Sequence, residues 1–507
     1  MALGNLDSRN TRTIQTDMST EPQIIEDAVA EKKELQQEGA PHTRRRRHRI
    51  CHRLGRLLLF KNGLKTTTTQ PLKTTAWLDG LRGFAAFLVY WHHHQLWVHT
   101  GVGSNITLEN SYGYEGKMNI ACMHGLRTFF TGGHFAVAVF FVISGYVLSY
   151  RPLTLIHAGE LEKSDSVLAS ALFRRWIRLY IPVIATTFLW MTSWHAFGMW
   201  TAPFEPQKNY RDEVLKWYYD FKDFSFVFRT GSLWQYYNLH TWSIPYEFKG
   251  SVAVYTTLLA FSRATRNWRL SGELGLIIYF LYIANGWYGA MFIGGMLLCD
   301  LDLLAIRNEQ PSFLVRLEPY KKPFYFVLLF AGVYLGGVPS NNNELKTLRS
   351  SPGWYYLSYL WPQAVADFKW FYLFWAAMFL ISSIPRLPSL KSFFLLGFNQ
   401  YLGRISYALY LVHGPVIWAF GDRIYVLVGW PKDPAYFQNP PTYYKQYELS
   451  QSGPLGFEPA FWLPHIILLP VTLWVATICT KLFDEPSIRI AGWLYKLVLP
   501  PKPTSLR

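Results

Sequence analysis

Long apolar runs separated by short polar segments are the feature that most limits how this 507-residue chain can fold. A run of roughly 17–25 apolar residues is long enough to cross a bilayer as a helix. Only 16% of the residues are charged, whereas soluble domains average about 25%. We therefore predict an all-α, polytopic membrane protein with about ten transmembrane helices. The predicted spans are residues 81–99, 134–150, 179–199, 239–262, 272–286, 288–304, 323–339, 370–384, 402–421 and 460–483.

Basic residues gather at the ends of alternate spans, and this asymmetry predicts the orientation. Arginines at positions 44–47 precede the first span, and further Lys and Arg residues crowd several later loops. Cytosolic loops of membrane proteins carry such an excess of positive charge. We predict a cytosolic N-terminus and a location in the endoplasmic reticulum or another endomembrane. The predicted cytosolic loops are residues 151–178, 263–269, 305–322 and 385–401.

This layout divides the chain into three regions. We predict a disordered, basic, cytosolic tail over residues 1–70, a membrane domain over residues 76–486 and a short cytosolic tail over residues 487–507. Asn105 begins a glycosylation sequon in the first non-cytosolic loop, where such a site would be modified. Loops rich in Trp, Tyr and Pro are expected to form ordered caps at the membrane interface: residues 200–236, 340–369 and 422–459.

The net charge of +16 points to a lipid bilayer as partner rather than to nucleic acid. Basic residues beside spanning helices meet anionic headgroups, and the chain has no RRM, zinc-finger or helix-turn-helix signature. The four cysteines, Cys51, Cys122, Cys299 and Cys479, form no CxxC pair. Their spacing predicts neither a metal site nor a disulfide framework.

The first predicted span carries charge that an apolar helix normally excludes. Residues 76–97 read AWLDGLRGFAAFLVYWHHHQLW, and ionisable groups inside a membrane are costly and functional by default. Eleven helical steps separate Arg82 from His93, which brings His93 back to within about 20° of the Arg82 face and about 16 Å along the axis. Asp79 precedes Arg82 by three residues and can pair with it.

This stripe of Asp79, Arg82 and His93 predicts a catalytic site within the membrane. A neutral imidazole can accept the proton of a hydroxyl near neutral pH, so His93 would be the general base. Arg82, near the cytosolic edge, could hold an anionic group. The neighbouring His92 and His94 point about 80° and 120° away from the stripe, and we interpret them as interfacial residues.

The same helix resembles the opening motif of the acyltransferase-3 family of integral membrane O-acyltransferases. Residues 78–83 (Leu-Asp-Gly-Leu-Arg-Gly) and His93, which follows Arg82 after ten intervening residues, match that motif position by position. The resemblance implies that His93 is catalytic, that Arg82 orients the donor or the transition state, and that Asp79 holds Arg82. Further motifs of the family follow in order up to about residue 486.

Two of these motifs lie in the second and third helices. Residues 140–146 resemble the family's Phe-Phe-x-x-Ser-Gly-aromatic signature, and we interpret Ser144 as a packing residue rather than a nucleophile. Arg174, Arg175 and Arg178 lie in a segment that resembles the basic start of the third helix. They would bind the phosphates of an acyl-CoA donor, or they would only anchor the helix at the cytosolic interface.

Another motif places a carboxylate at the end of a span. Trp242, Ser243 and Glu247 match the family's Trp-Ser-x-x-x-Glu segment, and Glu247 is predicted to support the site. Glu247 would position the histidine, bind the acceptor, or pair with Lys249 or His240.

The last motifs resemble the late helix and the end of the family domain. Residues 402–415 (LGRISYALYLVHGP) place His413 inside a span, where it would either hydrogen-bond in the core or take part in catalysis. We predict supporting roles for His413, Ser243 and Trp242. Residues 484–486 (Asp-Glu-Pro) resemble the closing Glu-x-Pro and would tie to arginines.

Together the motifs predict a membrane-bound O-acyltransferase. It would transfer an acyl group, expected to be acetyl from acetyl-CoA, to a hydroxyl of a small hydrophobic or sugar acceptor in secondary-metabolite biosynthesis. Acyl-CoA is then a co-substrate, and no permanently bound cofactor is expected. A multi-pass transporter or lipid flippase is the alternative, since it would also bury charge, but the sequence has no pair of related halves. A non-catalytic receptor would leave the charged stripe unexplained.

Overall fold

The computed structural model is helical, and no strand occurs in the part of the chain that it describes. This agrees with the predicted all-α class. The tail predicted over residues 1–70 and the sequon at Asn105 lie outside the described residues. The described residues are 74–99, 119–201, 204–228, 234–339, 344–433 and 435–500.

The longer helices are labelled in chain order. They are α1 Ala76–Val98, α2 Gly133–His157, α3 Leu161–Phe197, α4 Tyr210–Ser225, α5 Ser243–Phe261, α6 Arg266–Ile278, α7 Trp287–Ile306, α8 Lys321–Gly336, α9 Lys369–Ser383, α10 Gly397–Val416, α11 His465–Cys479 and α12 Glu485–Val498. Shorter helical segments are Ile120–Cys122, Arg127–Thr131, Leu239–Trp242, Ser312–Arg316, Glu318–Tyr320, Leu345–Ser350, Leu357–Leu360, Ile384–Arg386, Pro388–Phe394, Asp422–Leu427, Ala435–Gln438 and Pro459–Trp462.

Wide π-helical turns end α6, α10 and α11, at Tyr279–Ile283, Ile417–Gly421 and Thr480–Asp484. Such turns insert one residue into a helix and collect at functional sites. The turn after α10 follows Pro415, which has no backbone N–H to continue the regular ladder. It carries Trp418, whose ring lies 4.9 Å from the His240 ring.

α1 and α10 pack side by side in the same direction, although they come from opposite ends of the chain. Arg82, early in α1, donates to the Gly403 carbonyl, and His93, late in α1, contacts His413. Contacts therefore advance along both helices together. Glycines let the two backbones touch, because a Cβ on Gly83 would lie 2.3 Å from the Gly403 nitrogen. Small residues at helix crossings permit this close approach in membranes.

The apolar helices are typical of a membrane protein, although within the part of the chain that the structure describes fewer of them have the length and hydropathy needed for a span than the sequence predicts. α2, α7 and the stretch Pro459–Val498 are long and apolar enough, and the bent pair Lys369–Arg386 and Pro388–Phe394 adds a fourth if it counts as one. A helix overlaps each predicted span. α1 has 23 residues, but its arginine and histidines lower its mean hydropathy. The number ten therefore stays a prediction.

α3 is longer than the span predicted over residues 179–199. It has 37 residues and is roughly 55 Å long. Its first half, before Leu179, is polar, so an apolar run could not reveal it. The Ala, Leu, Glu, Lys and Arg residues there nevertheless favour a helix. This extension carries the three arginines of the predicted donor site.

Candidate active site

A cavity of about 460 Å³ is lined by residues of α1, α2, α3, α5, α10 and α12 and by the π turn after α11. We call it the arginine cavity, because four guanidinium groups and three carboxylates line it. They are Arg82, Arg175, Arg178, Arg404, Glu247, Asp484 and Glu485. Guanidinium groups match the geometry of phosphate oxygens and bind them through paired hydrogen bonds. The cavity is therefore suited to an anionic ligand.

Glu247 fixes the position of Arg175 within this cavity. Arg175 Nη2 donates to Glu247 Oε1, and Arg175 Nε donates to Ser251 Oγ at 2.8 Å. Ser144 Oγ also donates to Glu247 Oε1, at 2.6 Å. The Arg175 and Glu247 side chains are only 12% and 15% exposed, so the pair is shielded from water. Ser144 therefore has a polar partner in addition to the packing role predicted for it.

Arg82 is held in two ways. Asp79 Oδ1 lies 3.5 Å from Arg82 Nη2, as expected for the i, i+3 pair. The same guanidinium donates to the Gly403 carbonyl at 3.2 Å. Arg174 does not line the cavity, because its Nε donates to the Ser170 carbonyl of its own helix at 3.0 Å.

His93, His240 and His413 form a second group, the histidine cluster, with ring centroids 3.9–4.9 Å apart. His93 Nδ1 lies 2.9 Å from the Val89 carbonyl and His413 Nδ1 lies 3.2 Å from the Leu409 carbonyl. A carbonyl only accepts, so we assign a proton to Nδ1 of both rings. His413 Nε2 then accepts from His93 Nδ1 at 3.1 Å. This leaves His93 Nε2 with a free lone pair, as a general base requires.

His240 completes the cluster from the turn before α5. Its ring stacks on His413 and on Trp418. Its Nδ1 sits so close to the Gly414 backbone that a Cβ there would lie 2.3 Å away. Among the described residues, this buried Nδ1 has no hydrogen-bond partner.

The three imidazoles also have the donor types of a metal site. One nitrogen from each lies within 4.8 Å of the others, and the nitrogens of a tetrahedral zinc site lie about 3.3 Å apart, given Zn–N bonds of about 2.0–2.1 Å. The lone pair of His413 Nε2 is already used by His93 Nδ1. The observed arrangement is therefore that of a hydrogen-bonded pair of imidazoles beside a third ring.

Two hydroxyl groups connect the arginine cavity to the histidine cluster. Ser243 and Tyr410 both line the cavity, and their oxygens lie 2.7 Å apart. The Tyr410 hydroxyl donates to the His240 carbonyl, and the Tyr410 ring centroid lies 5.9 Å from that of His413. We call Ser243 and Tyr410 the hydroxyl pair.

The other two histidines of α1 are buried inside the protein, 3% and 0% exposed, rather than at a membrane interface. His94 Nδ1 hydrogen-bonds to the Tyr425 hydroxyl at 2.8 Å. The His92 ring packs against His134, with centroids 5.8 Å apart. Only His93 faces α10, because its position on the helix wheel repeats that of Arg82.

The structure divides the predicted site residues between two places. Arg82 and Glu247 belong to the arginine cavity, whereas His93 belongs to the histidine cluster. Glu247 therefore positions arginine and not histidine, and neither Lys249 nor His240 is its partner: Lys249 lies over the Tyr246 ring, and His240 joins the cluster.

Trp242 packs against Trp370 in an aromatic group, with ring centroids 5.7 Å apart. Two residues of the site were not selected from the sequence as site residues. Tyr410 stands three residues before His413 and thus on its helical face, and His240 stands two residues before Trp242. Both signals are present in the sequence, but only the fold joins them.

The described chain thus combines apolar helices with an arginine-lined cavity that lies beside a cluster of three imidazoles. The chain belongs to the acyltransferase-3 family, whose acyltransferase domain matches residues 75–481. It is 27% identical over 473 residues to the O-acetyltransferase PaAT-1 of Phomopsis amygdali. The matched region covers 85% of this chain and 86% of the relative. No solved structure matches the chain. The protein is thus an acyltransferase, and the family and relative together support an O-acyltransferase.

Proposed function

We propose that this protein transfers an acetyl group from acetyl-CoA to a hydroxyl of a small hydrophobic or sugar acceptor. The observation that carries this proposal is the junction of the arginine cavity and the histidine cluster at the hydroxyl pair. A donor anchored by its phosphates would present its thioester beside a basic nitrogen. The O-acetyltransferase name of the fungal relative supports the choice of acetyl. A place in secondary-metabolite biosynthesis is part of the proposal.

The arginine cavity suits the donor because it has two chemically different walls. Arg82, Arg175 and Arg178 offer guanidinium groups for phosphates, and Phe140 and Leu148 offer an apolar surface for the uncharged arm. A volume of about 460 Å³ lies in the lower half of the roughly 300–1,000 Å³ range of pockets for drug-sized ligands, and coenzyme A is larger than such ligands. It accommodates part of a coenzyme, with the remainder outside.

His93 supplies the base in this proposal. Its Nε2 takes the proton from the acceptor hydroxyl as the oxygen attacks the thioester carbon. The new C–O bond forms, the C–S bond breaks, and the proton passes to the departing thiolate of coenzyme A. His413 accepts from His93 Nδ1 and so fixes the tautomer that leaves Nε2 free.

The acceptor reaches His93 from a partly open aromatic region. His93 and His240 are not fully buried, and His240 stacks on Trp418, which belongs to a cluster of buried Trp, Tyr and Phe side chains. Aromatic faces bind apolar molecules and the C–H faces of sugars, which fits either acceptor class.

The predicted membrane orientation would put the donor side in the cytosol, where acetyl-CoA is available. The arginines of α3 lie within residues 151–178, which are predicted to be cytosolic, and the same rule predicts a cytosolic N-terminus. Residence in the endoplasmic reticulum or another endomembrane, with the lipid bilayer as partner, is part of the proposal.

The test is acetyl transfer by the purified protein in nanodiscs with labelled acetyl-CoA. Candidate acceptors are identified by comparing the metabolites of a deletion strain with those of its parent strain. An acetyl ester that is missing from the deletion strain marks the product. His93→Ala is expected to lower turnover at least about 100-fold, the usual contribution of a general base. His124→Ala, the same exchange at a histidine outside the cluster, serves as the control. Full activity of His93→Ala would remove His93 from the mechanism.

A further inference from the structure

The hydroxyl pair occupies a defined level between the arginines and the base. On α10, Gly403 marks the level of Arg82, Tyr410 follows seven residues later and His413 three beyond that. At about 1.5 Å per residue, Tyr410 lies roughly 10 Å above the arginine level and about 4.5 Å below His413.

α5 shows the same separation of arginine contacts from hydroxyl contacts on a second helix. Ser243, Glu247 and Ser251 lie at i, i+4 and i+8 and so share one face. Glu247 and Ser251 contact Arg175, whereas Ser243 contacts Tyr410. Two independent helices thus place arginine contacts at one level and hydroxyl groups at the next.

Under the proposed function, on which this inference rests, the reacting carbonyl is confined to the level of the hydroxyl pair. The thioester must lie between the phosphates, held at the arginine level, and His93 Nε2, beyond the pair. Ser243 and Tyr410 are cavity-lining hydroxyls with hydrogen-bond contacts on the histidine side. Both oxygens can therefore meet a carbonyl that reaches the inner end of the cavity.

We propose that the hydroxyls of Tyr410 and Ser243 stabilise the oxyanion that forms when the acceptor attacks the thioester. As the C–O bond forms, an electron pair moves from the C=O double bond to the carbonyl oxygen, which accepts a hydrogen bond from the pair. When the C–S bond breaks, that electron pair re-forms the double bond. Both residues remain chemically unchanged.

The resting hydrogen bonds prepare the pair for this role. Tyr410 donates to the His240 carbonyl, so the nearby Ser243 oxygen donates to Tyr410. A carbonyl group and a neighbouring hydroxyl thus hold both oxygens in place before substrate binds. A hydroxyl proton then turns from its resting acceptor to the oxyanion as the negative charge develops. A preorganised oxyanion donor is worth about 10²–10³ in turnover, and the need to turn a proton from its resting acceptor makes the gain from each of these hydroxyls smaller than that.

The test compares two coenzyme A analogues and needs no acceptor. The trifluoroacetonyl thioether of coenzyme A carries a ketone that hydrates to a tetrahedral centre, whereas S-propyl-CoA has no carbonyl group. Calorimetry on the full-length protein in nanodiscs measures both affinities. We expect the wild type to prefer the ketone analogue about 10- to 100-fold, as transition-state mimics bind tighter than ground-state ligands.

Tyr410→Phe is expected to lose most of this preference while keeping its affinity for S-propyl-CoA, and Ser243→Ala to lose part of it. Tyr401→Phe is the matched control, since its hydroxyl lies on the same helix but contacts Thr477 outside the cavity. An unchanged preference in Tyr410→Phe overturns the proposal and leaves the acyltransferase function intact. Failure of the wild type to bind either analogue contradicts the acyl-CoA donor itself, and the proposal falls with it.

Fluorinated tyrosines at position 410 distinguish catalysis from packing. They keep the shape of the ring but make the phenol a stronger hydrogen-bond donor as fluorine is added. If Tyr410 donates to the oxyanion, affinity for the ketone analogue rises along the series, whereas affinity for S-propyl-CoA does not. A flat series contradicts the proposed role.

Discussion

Neighbouring arginines in α3 have different surroundings, and the difference is set by the helical period. Arg175 is hydrogen-bonded to Glu247 and Ser251, while Arg174 turns back to its own helix. A basic cluster read from sequence treats them as equivalent, although they point about 100° apart.

Exchange of each arginine for lysine separates their roles. Arg175→Lys keeps a positive charge beside Glu247 but loses the planar fork of donors. We expect KM for acetyl-CoA to rise about tenfold, since a hydrogen bond to a charged group is worth about 1.5–3 kcal/mol. Arg174→Lys should leave KM within about twofold. Equal effects of the two exchanges, measured as initial rates against donor concentration, would contradict the placement of Arg175 in the donor site.

Asp220, in the helix α4 outside the predicted spans, gives a pH-dependent contribution to stability. Burial raises its pKa to about 6, although Lys216 and the Tyr236 backbone N–H favour the charged form; the nearby Asp223 adds to the rise. The carboxyl of an unfolded chain has a pKa of about 3.9. The folded form therefore binds the proton more tightly, and stability falls as pH rises from about 4 to 6.

Asp220→Asn removes this ionisation but can still accept from the Tyr236 N–H. We expect its melting temperature to exceed that of the wild type by a few degrees at pH 7.5, and the difference to vanish near pH 4. Differential scanning fluorimetry at both pH values measures it. A constant difference across pH would point to a cause other than ionisation.

At the residue scale, the sequence selected His93 correctly as the histidine that faces the same helix as Arg82. Its choice depended only on the helical period, which is a local property. The roles of Tyr410 and His240 depend on where α5 and α10 meet, and no local pattern contains that contact. The partner of Glu247 was missed for the same reason, because Arg175 lies 72 residues away along the chain.

At the scale of elements, α1 and α10 are held at backbone distance by glycine. A Cβ on Gly83 would meet the Gly403 nitrogen at 2.3 Å and the Asn399 oxygen at 2.6 Å, both of them backbone atoms that cannot rotate away. The helices must separate to admit a methyl group. Separation would stretch the contacts of Arg82 and His93 with α10.

Gly83→Ala is therefore expected to destabilise the protein by about 1–3 kcal/mol, the usual cost of overpacking, and to abolish most acyl transfer. Gly275→Ala is the control, since a Cβ at Gly275 meets nothing within 4 Å. That exchange should be neutral or stabilising by up to about 1 kcal/mol, because alanine favours a helix interior. Thermal unfolding in detergent and donor turnover measure both variants. Normal turnover in Gly83→Ala would contradict the required close approach.

Hydropathy located the apolar helices to within several residues, because burial in lipid requires a long apolar run. It did not reveal the polar start of α3 or the helix α4 within the loop 200–236. α4 begins where the Asn209 side chain accepts from the Asp212 N–H, and its exposed and buried faces alternate as in a surface helix. Such helices are specified by caps and charge rather than by hydrophobicity.

At the scale of the whole molecule, the two sides of the membrane can be tested by labelling. Lys163 has a side chain that is 70% exposed in the basic loop predicted to face the cytosol, and Tyr219 in α4 is 59% exposed in a loop predicted to face the other side. Lys163→Cys should react with an impermeant maleimide in sealed microsomes. Tyr219→Cys should react only after detergent opens them, with the wild type as background control. The reverse pattern would invert the orientation and move the donor side away from cytosolic acetyl-CoA.

The pairing of α1 with α10 also has a consequence for synthesis. His413, the partner of His93, lies 320 residues further along the chain. Its synthesis follows that of His93 after on the order of 15–60 s, at about 5–20 residues per second. During that interval the Arg82 and His93 face of α1 has left the ribosome without the helix that covers it. The polar face of α1 must therefore be kept away from lipid tails during that interval, because ionisable groups exposed to lipid are costly.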